Sequence, residues 1–521
     1  MESSFRRSMD WLHTWAGVLF ASLLFAIFWM GTLAVFDREI DRWMMPMTRL
    51  PVVDQTVSVD QLRPFLDIAA ATKSPNWSVT FPTDRQPVLT VNWRKGEERV
   101  RHYVDPATGV LLPDPGSWAG TQFLYPFHYM LHVKLWDLGM WVVGLAAMGM
   151  LALAVSGIVI HRNLIADFFT FRAQANPRRS ILDLHNITGV LGLPFHVLIT
   201  LSGLIIFFAN YFPTGWQAMY PTRDAFNADA FGTYSRPKLN HPGSLVSLDT
   251  MMRDAQRIWK GGMPTQLTVF HPGDAAAYVR ILRFPEDRVM HHPDSVFFDG
   301  ATGDLLQQNS APRPVMTMQR FLSGLHFIQF QHWTLRWFYF VLGLSGCVLM
   351  ATGLLFWLEA RREPHASSAP ASVRLVEGIT IGSVTGLIIA TLAFFVVNRL
   401  LPLGMTMLGY ERTALEAWIF YLTWLGTFAH AWLRPPHAWI EQCRAIAGLA
   451  LAAVLLNWLT TDDHLFASMA SRTLWPVAGM DLLLLMGALT AWLTAQKLRS
   501  RTVPASPRHE PLSVAESQAL G

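Results

Sequence analysis

The sequence predicts an α-helical polytopic membrane protein: a pseudo-twofold four-helix core, two small α+β modules outside the bilayer and about four extra C-terminal helices. Composition is the first observation. Hydrophobic residues make up 51% of the 521 and charged residues only 15%, with mean hydropathy +0.27. The second is a set of apolar runs close to the roughly 20 residues that cross a bilayer. They lie at about 14–36, 138–160, 187–211, 336–358, 376–398, 414–433, 444–460 and 474–495, the seventh being the shortest. The third is an internal repeat, which sets the domain count. Residues 103–112 read YVDPATGVLL and residues 297–306 read FFDGATGDLL. Each copy opens on Leu-His (Leu12-His13, Leu184-His185) and carries a second Leu-His after the turn (Leu131-His132, Leu325-His326). A closing apolar run holds Ser156-Gly157 in one copy and Thr352-Gly353 in the other. From His13 to His185 the offset is 172 residues, from Asp105 to Asp299 and from His132 to His326 it is 194, and from Gly157 to Gly353 it is 196.

These landmarks set the expected boundaries. Residues 1–162 form the first copy, with a module at about 37–120, and 180–362 the second, with a module at about 213–316. Residues 374–497 form a helical extension and 498–521 a tail. The first run is too long for a signal-peptide core and has no small-residue cleavage site before Phe36-Asp37-Arg38, so it reads as an uncleaved helix. Arg6 and Arg7 precede it; Arg162, Arg172, Arg178 and Arg179 follow the second run, and Arg361 and Arg362 the fourth. Arg434 and Arg444 flank the sixth-to-seventh connection, and Lys497, Arg499 and Arg501 follow the eighth run. All share one side if both termini are cytoplasmic, which leaves 37–137 and 212–335 external. The net charge of +4 and pI near 9.1 then reflect topology anchors at a lipid bilayer and require no nucleic-acid partner. Cys347 and Cys443 lie in or beside runs, and no C-x-x-C-H occurs. That pattern excludes a disulfide framework and covalent c-type haem.

In the first external segment, 52–71 reads as a strand-to-helix opening. Residues 77–81, 88–93 and 101–104 alternate as strands, and Asp105 to Gly109 turn into a last strand. The second segment matches, with a helix over 248–259, strands near 266–270, 277–283 and 295–298, and a turn at Asp299 to Gly303. Neither contains a nucleophile with its base, so both read as binding or scaffolding modules.

The histidines carry the chemistry. His13 and His185 open matched helices on one side, and His132 and His326 precede matched helices on the other. Facing imidazoles from opposed helices are a ligand set for haem iron. In Leu-His-x-x-x-Gly (His13 to Gly17, His185 to Gly189) the missing side chain leaves room for a flat macrocycle or a close helix. His196 lies 11 residues beyond His185, about 20° from the same face and roughly 16 Å along the axis, so one helix offers ligands at two depths. Leu24 stands opposite it in the first copy. Histidine also caps helices and bonds across bundles. His128, His161 and His332 are unmatched in the repeat and read as interfacial or supporting residues, as does His430; His365 is expected to bind nothing. His271, His291, His292 and Asp294 are a weak surface metal set, and Met44, Met45 and Met47 suit interfacial packing more than Cu(I).

Leu-His-Thr-Trp-Ala-Gly-Val from residue 12, Asp-Leu-His-Asn-Ile-Thr-Gly-Val from residue 183, and the D-P-A-T-G-like turns followed by Leu-His resemble the PepSY-associated transmembrane family. Leu193-Pro194-Phe195-His196-Val197-Leu198-Ile199-Thr200 is similar to its branch of iron-regulated inner-membrane proteins, which includes ferric-siderophore reductases. The resemblance covers about 5–362 and says nothing of the last four runs. It implies a bacterial inner membrane, periplasmic PepSY modules and b-type haem moving electrons outward to reduce chelated iron(III). The expectation is two haems, the inner at His13 and His185, the outer served from His196, His132 and His326. A ferric siderophore or other ferric chelate is the expected substrate, and a separate cytoplasmic or membrane protein the donor. The competing expectation is non-enzymatic: a transporter, or an accessory protein whose modules bind a ligand.

Overall fold

The computed structural model describes residues 3–53, 56–161, 172, 176–285, 288–309, 312–328, 332–361, 370–435 and 437–502. Arg162, Arg362, His365 and the tail from 503 onward lie outside them. Helices Ser3–Ala34 (α1) and Asp37–Met44 (α2) open the chain, followed by Arg63–Ala71 (α3), strands Asn76–Thr80 (β1), Leu89–Lys95 (β2) and Glu98–Val104 (β3), and helices Ala119–Met130 (α4) and Leu138–Ile160 (α5). A similar order follows: Pro177–Ile206 (α6), three short helices at Phe208–Tyr211, Pro213–Gln217 and Arg223–Phe231, then Leu248–Ile258 (α7), Gln266–Phe270 (β4), Tyr278–Arg283 (β5), Asp294–Asp299 (β6), Leu305–Gln308 (β7), Pro314–Phe327 (α8) and Trp333–Glu359 (α9). Ala371–Leu400 (α10), Arg412–Leu433 (α11), Ala438–Thr461 (α12) and Trp475–Thr502 (α13) complete it.

Among the described residues, seven helices are long and apolar enough to cross a membrane: α1, α5, α6, α9, α10, α12 and α13. The chain is a multi-pass membrane protein. The run expected at 414–433 does form a helix, α11, but it falls short of the other seven in hydropathy. Arg412 and Glu416 in its first turns, with Trp418, Tyr421, Trp424, His430 and Trp432, account for that. α6 starts on Pro177, whose missing N–H costs nothing at that position, and the Asn176 side chain accepts from the Arg179 N–H.

Helix α1 packs on α5 and α9, and α6 on the same two, closing a ring of four helices. The C-terminal helices attach along one side. α10 packs on α1, where Trp29 Nε1 donates to Thr391 Oγ1 (3.0 Å), and α13 packs on α2, where Trp43 Nε1 donates to Asp481 Oδ1 (2.8 Å).

The segments between α1 and α5 and between α6 and α9 share one seven-stranded sheet of order β3-β2-β1-β4-β5-β6-β7. Its seam is the antiparallel β1–β4 pair, with Ser78 opposite Thr268 and Val79 opposite Leu267. One face buries Trp77, Val79, Val91, Leu267, Val269, Val279 and Ile281 against α3 and α7, as strict alternation allows. The strand expected after the first turn is a single bridge, Val104 to Leu111, whereas the second turn does lead into β7.

Candidate functional site

Two histidine pairs line two cavities at different depths of the four-helix ring. On the side away from the sheet, the rings of His13 (α1) and His185 (α6) lie 6.4 Å apart between centroids, at 83°. On the sheet side, His128 (α4) and His326 (α8) lie 6.0 Å apart at 33°. Fourteen residues separate His13 from Ile27, which His128 contacts, and fourteen separate His185 from Ile199, which His326 contacts. The pairs are thus roughly 21 Å apart along the helix axes.

All four rings are held alike. His13 Nδ1 bonds Leu153 O (3.1 Å) and Ser156 Oγ (3.0 Å); His185 Nδ1 bonds Leu349 O (3.0 Å) and Thr352 Oγ1 (3.3 Å). His128 Nδ1 bonds Ile27 O (2.8 Å), and His326 Nδ1 bonds Ile199 O (2.9 Å) and Ser202 Oγ (3.1 Å). A carbonyl oxygen only accepts, so Nδ1 carries a proton in each ring, and in the neutral imidazole Nε2 then keeps its lone pair. Among the described residues no hydrogen bond engages Nε2 of these four rings. Each imidazole also lies on a glycine of a neighbouring helix. A Cβ would meet His13 Cε1 at 3.2 Å from Gly157, His185 Cε1 at 3.2 Å from Gly353, His326 Cε1 at 3.0 Å from Gly203, and His128 Cε1 at 2.6 Å from Gly31.

The cavity at His13 and His185 has about 590 Å³ of space and also touches Asn186, Gly17, Gly189, Arg179 and Arg361. The sheet-side cavity is narrower, about 180 Å³, lined by Phe28, Tyr129 and Phe207 and, at its outer end, by Asp37, Arg85, Tyr125 and Arg336. Arg85 there bonds Glu39 (2.6 Å) and Asp37 (3.2 Å). In the adjoining turn burial pushes the Asp41 carboxyl up to about 6, against Arg38 and the Thr121 hydrogen bonds.

The structure therefore brings His13, His185 and His326 into facing pairs but not His132. His132 follows the end of α4, Leu131 and His132 both being left-handed (φ 53° and 57°), and this turn aims its ring elsewhere. Its Nδ1 bonds Tyr421 OH (2.7 Å) and its Nε2 bonds Phe123 O (2.8 Å), so neither nitrogen is available. His128, inside α4, takes the place facing His326. His196 is 1% exposed and joins neither pair: it meets Phe28 edge-on at 5.8 Å, with Nε2 3.3 Å from Ser345 Oγ. His161 ends α5 and lines the far cavity, whereas His332 precedes α9 on the surface. The signal that points to His128 is the glycine match, because Gly31 and Gly203 share the 172-residue offset.

Among the described residues no group of three or more His, Cys, Asp or Glu converges as a metal site. His271 bonds Arg236 O, His291 stacks on Phe284, His292 meets Asn309, and Asp294 pairs with Arg283 and Arg288. Met44 and Met45 are buried beside Ile40, Trp43 and Phe123, and His430 pairs with Glu441 (2.8 Å). In each cavity two imidazoles face one another, and among the described residues no third His, Cys, Asp or Glu converges with them on one point, which suits an ion whose remaining positions are filled by another group.

The profile of the family described as PepSY-associated TM region matches residues 11–360. An uncharacterized protein of Pseudomonas aeruginosa is 28% identical over 395 residues, covering 70% of this chain and 93% of the relative.

Proposed function

The chain belongs to the PepSY-associated TM region family, and from that premise we propose that it is a bacterial inner-membrane oxidoreductase carrying electrons from the cytoplasm to the periplasm. Its substrate is chelated ferric iron, such as a ferric siderophore, and its cofactors are two b-type haems, which supply one-electron transfer when bound. The reading rests on one observation: two facing imidazole pairs at two depths, each ring with Nδ1 tied to a carbonyl and one edge on a glycine. Imidazole rings roughly 6 Å apart between centres would be spaced to share one metal ion at ordinary metal–nitrogen distances of about 2.0–2.1 Å. The pairs measure 6.4 and 6.0 Å. His13 and His185 would hold one haem, and His128 and His326 the other. Leu153, Leu349, Ile27 and Ile199 fix the tautomer through their carbonyls, an outer contact that keeps the ligating nitrogen basic.

The finer architecture belongs to the same reading. Residues 1–162 and 180–362 are pseudo-twofold copies whose PepSY-like modules, about 37–120 and 213–316, pair through β1 and β4. Residues 374–497 belong to the extension, whose last helix, α13, runs on to Thr502. Arg6, Arg7, Arg178, Arg179 and Arg361 lie at the ends away from the sheet, which supports a reading with the N-terminus in the cytoplasm and the sheet in the periplasm; a cytoplasmic C-terminus further requires α11 to cross as an eighth helix. The electron donor is a separate cytoplasmic or membrane protein.

Purified full-length protein is expected to show a b-type spectrum that shifts on reduction with dithionite. His185→Ala and His128→Ala should each lose about one of two haem equivalents, and His132→Ala none. A colourless preparation from haem-replete cells sinks the proposal and favours a transporter or accessory protein. Equal haem content in all three variants sinks the ligand assignment alone.

A further inference from the structure

Arg336 is an arginine in the fourth position of a membrane helix, 5% exposed, on the wall of the sheet-side cavity. An ionisable residue in a span marks a functional site by default. Its Nη1 donates to Val35 O (3.2 Å) and its Nη2 to Ile328 O (2.9 Å). Arg85 Nη2 donates to the same Val35 oxygen (3.2 Å) while holding Glu39 and Asp37. Two guanidiniums thus converge on one neutral carbonyl at the outer rim of a cavity that also holds His128 and His326. The matched position in the first copy, 196 residues earlier, is Met140, so the four-helix packing does not itself require an arginine there.

The opposite end of this cavity is apolar, with Leu24, Phe28 and Phe195 on its wall. A planar ligand between the two imidazoles therefore meets Arg336 and Arg85, with Asp37 beside them, along one edge and hydrocarbon along the other. Guanidinium is the side chain best matched to a carboxylate, because its planar fork gives two parallel hydrogen bonds.

We propose that Arg336, supported by Arg85, is a carboxylate-binding edge of the sheet-side cavity. The ligand held there is an acidic macrocycle whose carboxylates point to the outer surface and whose apolar edge points into the membrane. This rests on the haem reading above and adds the orientation of the ligand and the acid groups it must carry. Arg336 is a positioning residue in this role: it fixes the edge of the ligand and adds positive charge beside the ligating pair.

The test uses the full chain purified with its cofactors, first without chelate and then with a ferric chelate added. Two quantities are read, the rate of haem transfer to excess acceptor apoprotein and the midpoint potential of each haem. Arg336→Gln should release one of the two haems roughly tenfold faster, the scale expected for losing a hydrogen bond to a charged group. The midpoint of that haem should fall, since removing a cation favours the oxidised ion, and the other haem should be unmoved. Arg336→Lys keeps the charge, so it should restore the midpoint and only part of the retention. Wild-type transfer and midpoint in both variants would overturn the inference. So would equal loss of haem in both with no change of midpoint, the pattern of a purely structural arginine. If Arg336→Gln instead lowers only the affinity for an added ferric chelate, the carboxylate belongs to the substrate and the inference is wrong. A wild-type chain without haem fails the functional proposal itself. Haem loss in His128→Ala beside a silent Arg336→Gln fails this inference alone.

Discussion

A histidine becomes a candidate ligand here through what touches its other nitrogen and its other face. His13, His185, His128 and His326 each give Nδ1–H to a carbonyl and rest on a glycine, whereas His132 spends both nitrogens on Tyr421 and Phe123. The glycine contacts make a prediction at this scale. A methyl group at Gly31 would lie 2.6 Å from His128 Cε1, so Gly31→Ala must push the imidazole away. The variant should lose about one haem equivalent per chain by absorbance. Gly215→Ala, where a Cβ meets nothing within 4 Å, should lose none; full haem retention in Gly31→Ala would refute the contact. His13 and His185 were legible because both copies write Leu-His-x-x-x-Gly. His128 was not, because the Leu-His match pointed to His132. Only the left-handed backbone at Leu131 and His132 shows that this residue lies beyond the helix end and faces another way.

Between elements, the two segments that share the sheet hold one another by their helix caps. Asp60 accepts from the Leu248 N–H (3.0 Å) and Ser247 Oγ (2.6 Å), and Asp249 accepts from the Val59 N–H (3.0 Å) and from Ser58 Oγ. Each aspartate thus satisfies donors at the helix start of the other copy. Burial raises the Asp60 carboxyl, but the bonds from Ser247, Leu248 and Arg63 outweigh it and hold the group below its ordinary value. A depressed carboxylate stabilises the fold above the unfolded value, near pH 4, and that share is lost as pH falls through the lower folded value. Asp60→Ala should cost about 1 kcal/mol at neutral pH, read as a lower unfolding midpoint in detergent. The gap to wild type should close in acid. A gap that persists unchanged below both values would rule out the ionic cap. Strands and helices were legible from alternation and turn chemistry, but this reciprocal capping joins residues almost two hundred apart and leaves no local trace.

At the scale of the molecule, the four-helix ring stacks two cavities along the membrane normal, and the joined sheet caps one end. On the proposed function, conduction across the bilayer would need both pairs. With the chain oriented in liposomes and dithionite trapped on the side away from the sheet, reduction of an external ferric chelate should stop in either His185→Ala or His128→Ala. Unimpaired transfer in either variant would show that one pair suffices. The sequence by itself determined the membrane class, the duplication and the histidines at the start of each copy. Hydrophobic length and repeated motifs are properties of neighbouring residues, and they survive without coordinates. Tertiary structure alone decided that His128, and not His132, faces His326, that His196 stands between the pairs, and that two modules share one sheet. Those outcomes depend on where a helix stops, which glycine lets a ring approach, and which edge strand meets another. Each is a balance of packing and hydrogen bonding between segments that the order of residues does not place side by side.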